Sequence, residues 1–180
     1  MNGGIDAWNG LVSKAGVGQG MYLIEGSETV EEVLALAYGL EEGSRRFYRE
    51  LAQCSDVPEA KRLFEALHDD EILHEERLWG RYRALTGDGC DRLKFESSIV
   101  PIALEGGLTP DQMLSGYPEA GKEFAESLDL AMALESDALD LYLRMAAAFN
   151  DRESRSLFFS LAEQERDHLK KLGTLHGSKP

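Results

Sequence analysis

The sequence predicts an all-α protein, a four-helix bundle made of two helical hairpins joined by a long crossover. Three observations predict it. Four long segments space their apolar residues as helices do, between recognisable start and stop signals. An internal repeat relates the first pair of segments to the second. No segment reads as a convincing strand, because Ser98–Leu104 is short and broken by Pro101.

Residues 1–27 are Gly-rich and weakly patterned, and read as a segment outside the bundle; the domain then spans 28–176, with 177–180 as a tail. Thr29 opens the first long helix, and Glu32 stands where a capping box needs it. That helix runs to about Cys54 and stops at Ser55-Asp56-Val57-Pro58, where Pro58 suits the first turn of the next. The second helix continues to about Leu85 and ends at Thr86-Gly87-Asp88-Gly89. The stretch 88–120 is mixed, and Thr109-Pro110 with Gln112 predicts one short helix in it. The third long helix runs from about Gly121 to Phe149. Asn150 is then expected to cap the fourth, with Glu153 at the capping-box position and Gly173 as its end.

A chain of 180 residues, 43% hydrophobic and 29% charged, has the composition of a soluble single domain with a real core. Its net charge is −14, with no Lys/Arg run dense enough to grip phosphates, so nucleic acid is not an expected partner. No apolar segment approaches the ~20 residues that span a bilayer. The N-terminus has no basic region followed by an apolar stretch, and Cys54 and Cys90 form no C-x-x-C pair. A reduced, cytoplasmic chain is the simpler expectation, with one disulfide between them left open.

The repeat is the most informative feature. A single shift of 94 residues takes Glu41 to Glu135, Tyr48 to Tyr142, Leu63 to Leu157, Phe64 to Phe158, Leu67 to Leu161, Glu71 to Glu165 and His74 to His168. Glu71 and His74 stand at i, i+3 and share a helix face, as do Glu165 and His168. Glu41 precedes the first interhelical turn by about as much as Glu71 follows it, roughly 20 Å along the axis. Two such residues meet at one height in an antiparallel hairpin, and Glu135 and Glu165 are placed equivalently. Four carboxylates and two imidazoles are thus expected to converge midway along the bundle. Each buried carboxylate costs several kcal/mol unless paired, and four together repel. The basic residues that repeat, Lys61 with Arg155 and Arg77 with Lys171, lie off the centre of that face. Two divalent metals would cancel the four charges; oxygen and nitrogen donors with open positions suit iron or manganese, and zinc also fits.

The stretch Ala37-Tyr38-Gly39-Leu40-Glu41-Glu42 through Phe47-Tyr48, then Glu71-x-x-His74, Glu135 through Tyr142, and Glu165-x-x-His168, resembles the ferritin-like domain of rubrerythrins over about 28–173. The resemblance implies a ferritin-like bundle in which Glu41, Glu71, His74, Glu135, Glu165 and His168 hold two irons and carry the chemistry through them, Glu71 and Glu165 bridging. It implies that Tyr48 and Tyr142 hydrogen-bond the ligand carboxylates, that the chain forms a homodimer, and that peroxide or dioxygen meets electrons from a donor the sequence does not name. The sequence departs from the family twice. Two cysteines cannot build the four-cysteine rubredoxin-like site that rubrerythrins usually add, and Ala138 stands where many carry a further Glu. With every proposed ligand repeated, the centre is expected to be symmetric. Gly3-Gly4-Ile5-Asp6-Ala7-Trp8 resembles the closing segment of a rhodanese domain, whose sulfur-carrying part is absent.

Other residues carry blander readings. His68 matches Ala162 across the repeat and reads as a neighbour of the site rather than a ligand; Glu42 and Glu75 match Ser136 and Leu169 and read as exposed. His176 reads as part of a disordered tail. Tyr48 and Tyr142 are equally well core aromatics with satisfied hydroxyls. Gly16-Val17-Gly18-Gln19-Gly20 follows no strand and lacks the Lys-Ser/Thr of a phosphate loop, so it reads as linker. Three functions fit: reduction of peroxide or dioxygen at a di-iron centre, iron oxidation and handling, or a non-catalytic metal-stabilised bundle or interaction module.

Overall fold

The computed structural model describes residues 28–87, 89–99 and 103–177. The Gly3–Trp8 segment and the rest of residues 1–27 lie outside the described residues, as do 178–180. The elements in chain order are α1 (Val30–Cys54), α2 (Pro58–Thr86), α3 (Arg92–Ser98), a 3-10 turn (Glu105–Gly107), α4 (Pro110–Gly116), α5 (Phe124–Ala148) and α6 (Arg152–Gly177). The chain is an all-α, ferritin-like bundle. Helix α1 pairs with α2 and α5 with α6, and no strand occurs among the described residues.

Local chemistry explains most boundaries. Thr29 and Glu32 form the expected capping box at α1, and Pro58 sits in the first turn of α2. Helix α2 ends where Gly87 adopts φ +89°, a conformation that disfavours any side chain. Thr109 and Gln112 box the start of α4 as expected.

Four expectations need correction. Asp151, not Asn150, caps α6: its Oδ2 accepts the Ser154 amide at 2.8 Å, while Glu153 turns outward to Arg81. Gly173 does not end α6, which continues to Gly177. Leu172 is buried there, and a single helical glycine costs only about 1 kcal/mol. His176 therefore lies on the last turn of α6, 3.6 Å from Asp129, rather than in a tail. The crossover also holds more structure than one short helix: Asp91 caps α3, whose Phe95 packs edge-on against Tyr38 at 5.0 Å and against Trp79 and Tyr82.

The core has two apolar parts with a polar layer between them. One gathers Val33 to Leu40 of α1, Leu78 and Trp79 of α2, Ala138 to Ala146 of α5, and Phe158 to Ala162 of α6. The other gathers Phe47 to Ala52, Ala60 to Leu67, Leu128 to Leu134, and Leu172. Between them each long helix turns carboxylates or imidazoles inward: Glu41, Glu71 with His74, Glu135, and Glu165 with His168. All six are buried.

Candidate metal centre

The six residues singled out by the repeat come together as two groups, Glu41–Glu71–His74 and Glu135–Glu165–His168. In each, one donor atom per residue lies within 4.8 Å of the others. The two imidazoles face one another, nearly parallel, with centroids 5.8 Å apart. His74 Nδ1 is 3.3 Å from Glu41, 3.2 Å from Glu71 and 3.2 Å from Glu165 Oε1. His168 Nδ1 is 2.9 Å from Glu135 and 3.1 Å from Glu165 Oε2. Glu165 therefore directs one oxygen at each imidazole, the posture of a bridging carboxylate.

The tyrosines bond crosswise. Tyr48 of α1 donates to Glu135 of α5 at 2.7 Å, and Tyr142 of α5 donates to Glu41 of α1. Both rings are also core, each stacked on a phenylalanine of the next helix.

Two residues at the centre escaped the sequence reading. Glu105, on the 3-10 turn of the crossover, is buried, with a carboxyl oxygen 2.8 Å from the same Tyr142 hydroxyl oxygen. It forms a third group of donors with Glu41 and Glu165. The signal available was a lone carboxylate between Leu104 and Leu108, followed by two glycines. Asp70, half-exposed on α2, lies 3.1 Å from His168 Nε2. Its repeat equivalent is Gln164, which Arg77 holds, so the repeat argument passes over it. The centre is consequently not symmetric, contrary to expectation. His168 Nε2 has an acidic partner, and the buried His74 Nε2 has no hydrogen-bond partner.

The remaining residues fall outside. His68 turns its Nδ1 to the Arg45 carbonyl at 3.0 Å. Glu75 is buried rather than exposed, because Arg45 reaches across from α1 to pair with it; Glu42 is half-buried between Arg45 and Arg46. Cys54 and Cys90 are both free.

Burial raises every carboxyl at the centre, but the balance differs. Glu71, Glu105 and Glu165 are held well above the usual range, burial being reinforced by neighbouring carboxylates. For Glu41 and Glu135 the adjacent imidazole and tyrosine hydroxyl outweigh burial, and both fall below it. Burial alone would also lower the imidazoles. The carboxylates beside them win, and His74 rises to about 9 and His168 to about 12. Without a metal these shifts favour protons shared among the buried carboxylates and imidazoles, and a bound metal would displace such protons. Glu71 Oε2, His74 Nε2 and Glu165 Oε1 remain buried without a hydrogen-bond partner. Buried polar atoms are nearly always satisfied, so orphans clustered among carboxylates and imidazoles fit a metal-binding layer.

The rubrerythrin family model matches residues 24–99. Over that stretch the chain is similar to rubrerythrins. The matched part holds α1, α2 and α3 with Glu41, Glu71 and His74, whose repeat equivalents Glu135, Glu165 and His168 lie on α5 and α6. An uncharacterized protein of Bacillus subtilis, YhjR, is 26% identical over 121 residues, covering 67% of this chain and 68% of that one. A hypothetical protein from Pyrococcus furiosus has a similar fold, with a TM-score of 0.59 at 22% identity over 86% of this chain and 92% of the other. No described helix is long and apolar enough to cross a membrane.

Proposed function

We propose that the chain is a cytoplasmic di-iron carboxylate oxidoreductase of the rubrerythrin type that reduces peroxide or dioxygen. One observation carries the reading: two Glu–Glu–His groups share a single buried layer, and Glu165 offers one oxygen to each. Glu41, Glu71 and His74 would hold one iron, Glu135, Glu165 and His168 the other. Iron paired in this way supplies two electrons together to one oxidant.

The chain's own residues set the conditions. The two apolar clusters above and below the layer exclude water, so charge at the centre is felt strongly. The Tyr48 and Tyr142 hydroxyls hold protons against Glu135 and Glu41 and fix those carboxylates in place. Asp70 holds the His168 Nε2 proton, which leaves Nδ1 directed inward. The test is anaerobic iron loading followed by rapid mixing with peroxide. Two irons per chain, oxidised together as peroxide is consumed, are expected. Fewer than one iron after loading, or iron that neither peroxide nor dioxygen oxidises, contradicts the proposal. Iron accumulating far beyond two per chain supports the iron-handling alternative instead.

A further inference from the structure

We infer that Glu105 is a further metal ligand: the crossover inserts its carboxylate beside Glu41 and Glu165, giving the metal position at the first hairpin a donor for which the repeat has no counterpart. This rests on the proposal that the six repeated residues hold two metals. Donor oxygens of Glu41, Glu105 and Glu165 all lie within 4.8 Å of one another, so one ion can touch all three. The independent sign of a ligand there is Glu165 Oε1, which belongs to a residue only 1% exposed and has no hydrogen-bond partner.

The crossover is shaped to deliver this side chain. Any Cβ at position 43 would collide with the Ala103 carbonyl oxygen, so Gly43 lets the crossover backbone lie directly on α1. The next residue, Ser44, accepts the Glu105 amide at 3.3 Å. Leu104 N–H donates to the Leu108 carbonyl at 2.7 Å, closing the loop, and Gly107 completes the turn at φ +83°. Leu104 is itself fully buried and anchors the turn in the lower core. A purely structural role would be met more cheaply by a neutral side chain. A carboxyl 2% exposed, facing other carboxylates and hydrogen-bonded through its side chain to Tyr142, costs stability unless a cation completes it.

The fifth carboxylate changes the charge balance. Four carboxylates neutralise two divalent ions, and a fifth leaves the centre negative. With more highly charged ions the same carboxylate reduces the positive excess, so Glu105 favours the oxidised state of a redox metal over the reduced one.

The deciding experiment uses Zn(II) as the probe, with the full chain. Crystals of the zinc-loaded protein, phased with the zinc anomalous signal, are expected to show Glu105 bound at about 2.0–2.2 Å to the metal that Glu41 holds. In a competition titration with a chromophoric chelator, Glu105→Gln is expected to weaken one of two zinc-binding events at least about tenfold and spare the other. Glu105 remaining on Tyr142, away from both metals in the loaded crystal, overturns the inference; so do two binding events unchanged in Glu105→Gln. Wild-type protein that binds fewer than two zinc ions would instead overturn the two-metal reading. The wild-type crystal keeps the question decidable if the variant folds poorly.

Discussion

The first and second hairpins differ less in the buried carboxylates and imidazoles they contribute than in what is laid against those side chains. Each supplies two glutamates and a histidine, and each sends a tyrosine across to the other's first glutamate. Yet His168 is braced by Asp70 while His74 Nε2 has no hydrogen-bond partner, and Glu105 comes to the Glu41 side through a crossover that exists once. On the proposed reading, a duplicated scaffold sets where metals would bind. Single-copy elements set how the two positions differ.

The largest effect expected removes what the halves share. Glu71→Ala or Glu165→Ala should abolish paired metal binding, measured by elemental analysis after anaerobic loading, whereas Glu42→Ala, outside the layer, should leave two metals per chain. Retention of both metals by either inner variant would break the comparison at its base.

Next comes the bracing of one imidazole. Asp70→Asn should weaken metal binding roughly tenfold to a hundredfold, because His168 loses the partner that orients it. Gln164→Ala, at the equivalent place in the other half, should change affinity little. In the metal-free protein the same Asp70 change should pull the His168 pKa down from about 12, read by NMR titration. Equal effects of the two substitutions would restore the symmetric centre.

The pH dependence follows from the raised imidazoles. Both pKa values lie above the ordinary 6.5, so the stability these groups give the metal-free fold is fully present below about 6.5. It is lost as pH rises through about 9 for His74, and only near 12 for His168. Thermal melts of metal-free protein should therefore fall between pH 7 and 9, and metal affinity should rise over that window with proton release detectable by indicator dye. Affinity independent of pH there would mean the imidazoles are not ligands.

Smaller effects separate the tyrosines. Tyr48→Phe should cost the metal-free fold about 1–3 kcal/mol by leaving a Glu135 oxygen unsatisfied. Tyr142→Phe should cost more, since its hydroxyl serves Glu41 and Glu105. The smallest effect belongs to deletion of residues 1–27, which contain none of the proposed ligands and should leave the metal count unchanged.

Most of the bundle was legible because its signals are local. Thr29 with Glu32, Pro58, and Thr109 with Gln112 each act within one turn of chain, and each appears where it was expected. The convergence of the six repeated residues was legible for another reason: a helix face and an antiparallel hairpin fix heights by counting. Glu105 was not legible, because its place depends on a backbone contact at Gly43 some sixty residues earlier in the chain. Glu75 misled for a similar reason. Its helix position looks outward by repeat logic, but Arg45 from the neighbouring helix covers it. Asn150 and Asp151 are both good caps, and Asp151 won because it also pairs with Arg81 at 2.7 Å.

The most direct test of the central claim is a crystal structure of anaerobically iron-loaded protein with data at the iron absorption edge. Two anomalous peaks are predicted in the polar layer between the two apolar clusters, one beside Glu41, Glu71 and His74 and the other beside Glu135, Glu165 and His168, with Glu165 reaching both. A single peak, or iron bound only at the surface carboxylates while the layer keeps its hydrogen bonds, would contradict the account.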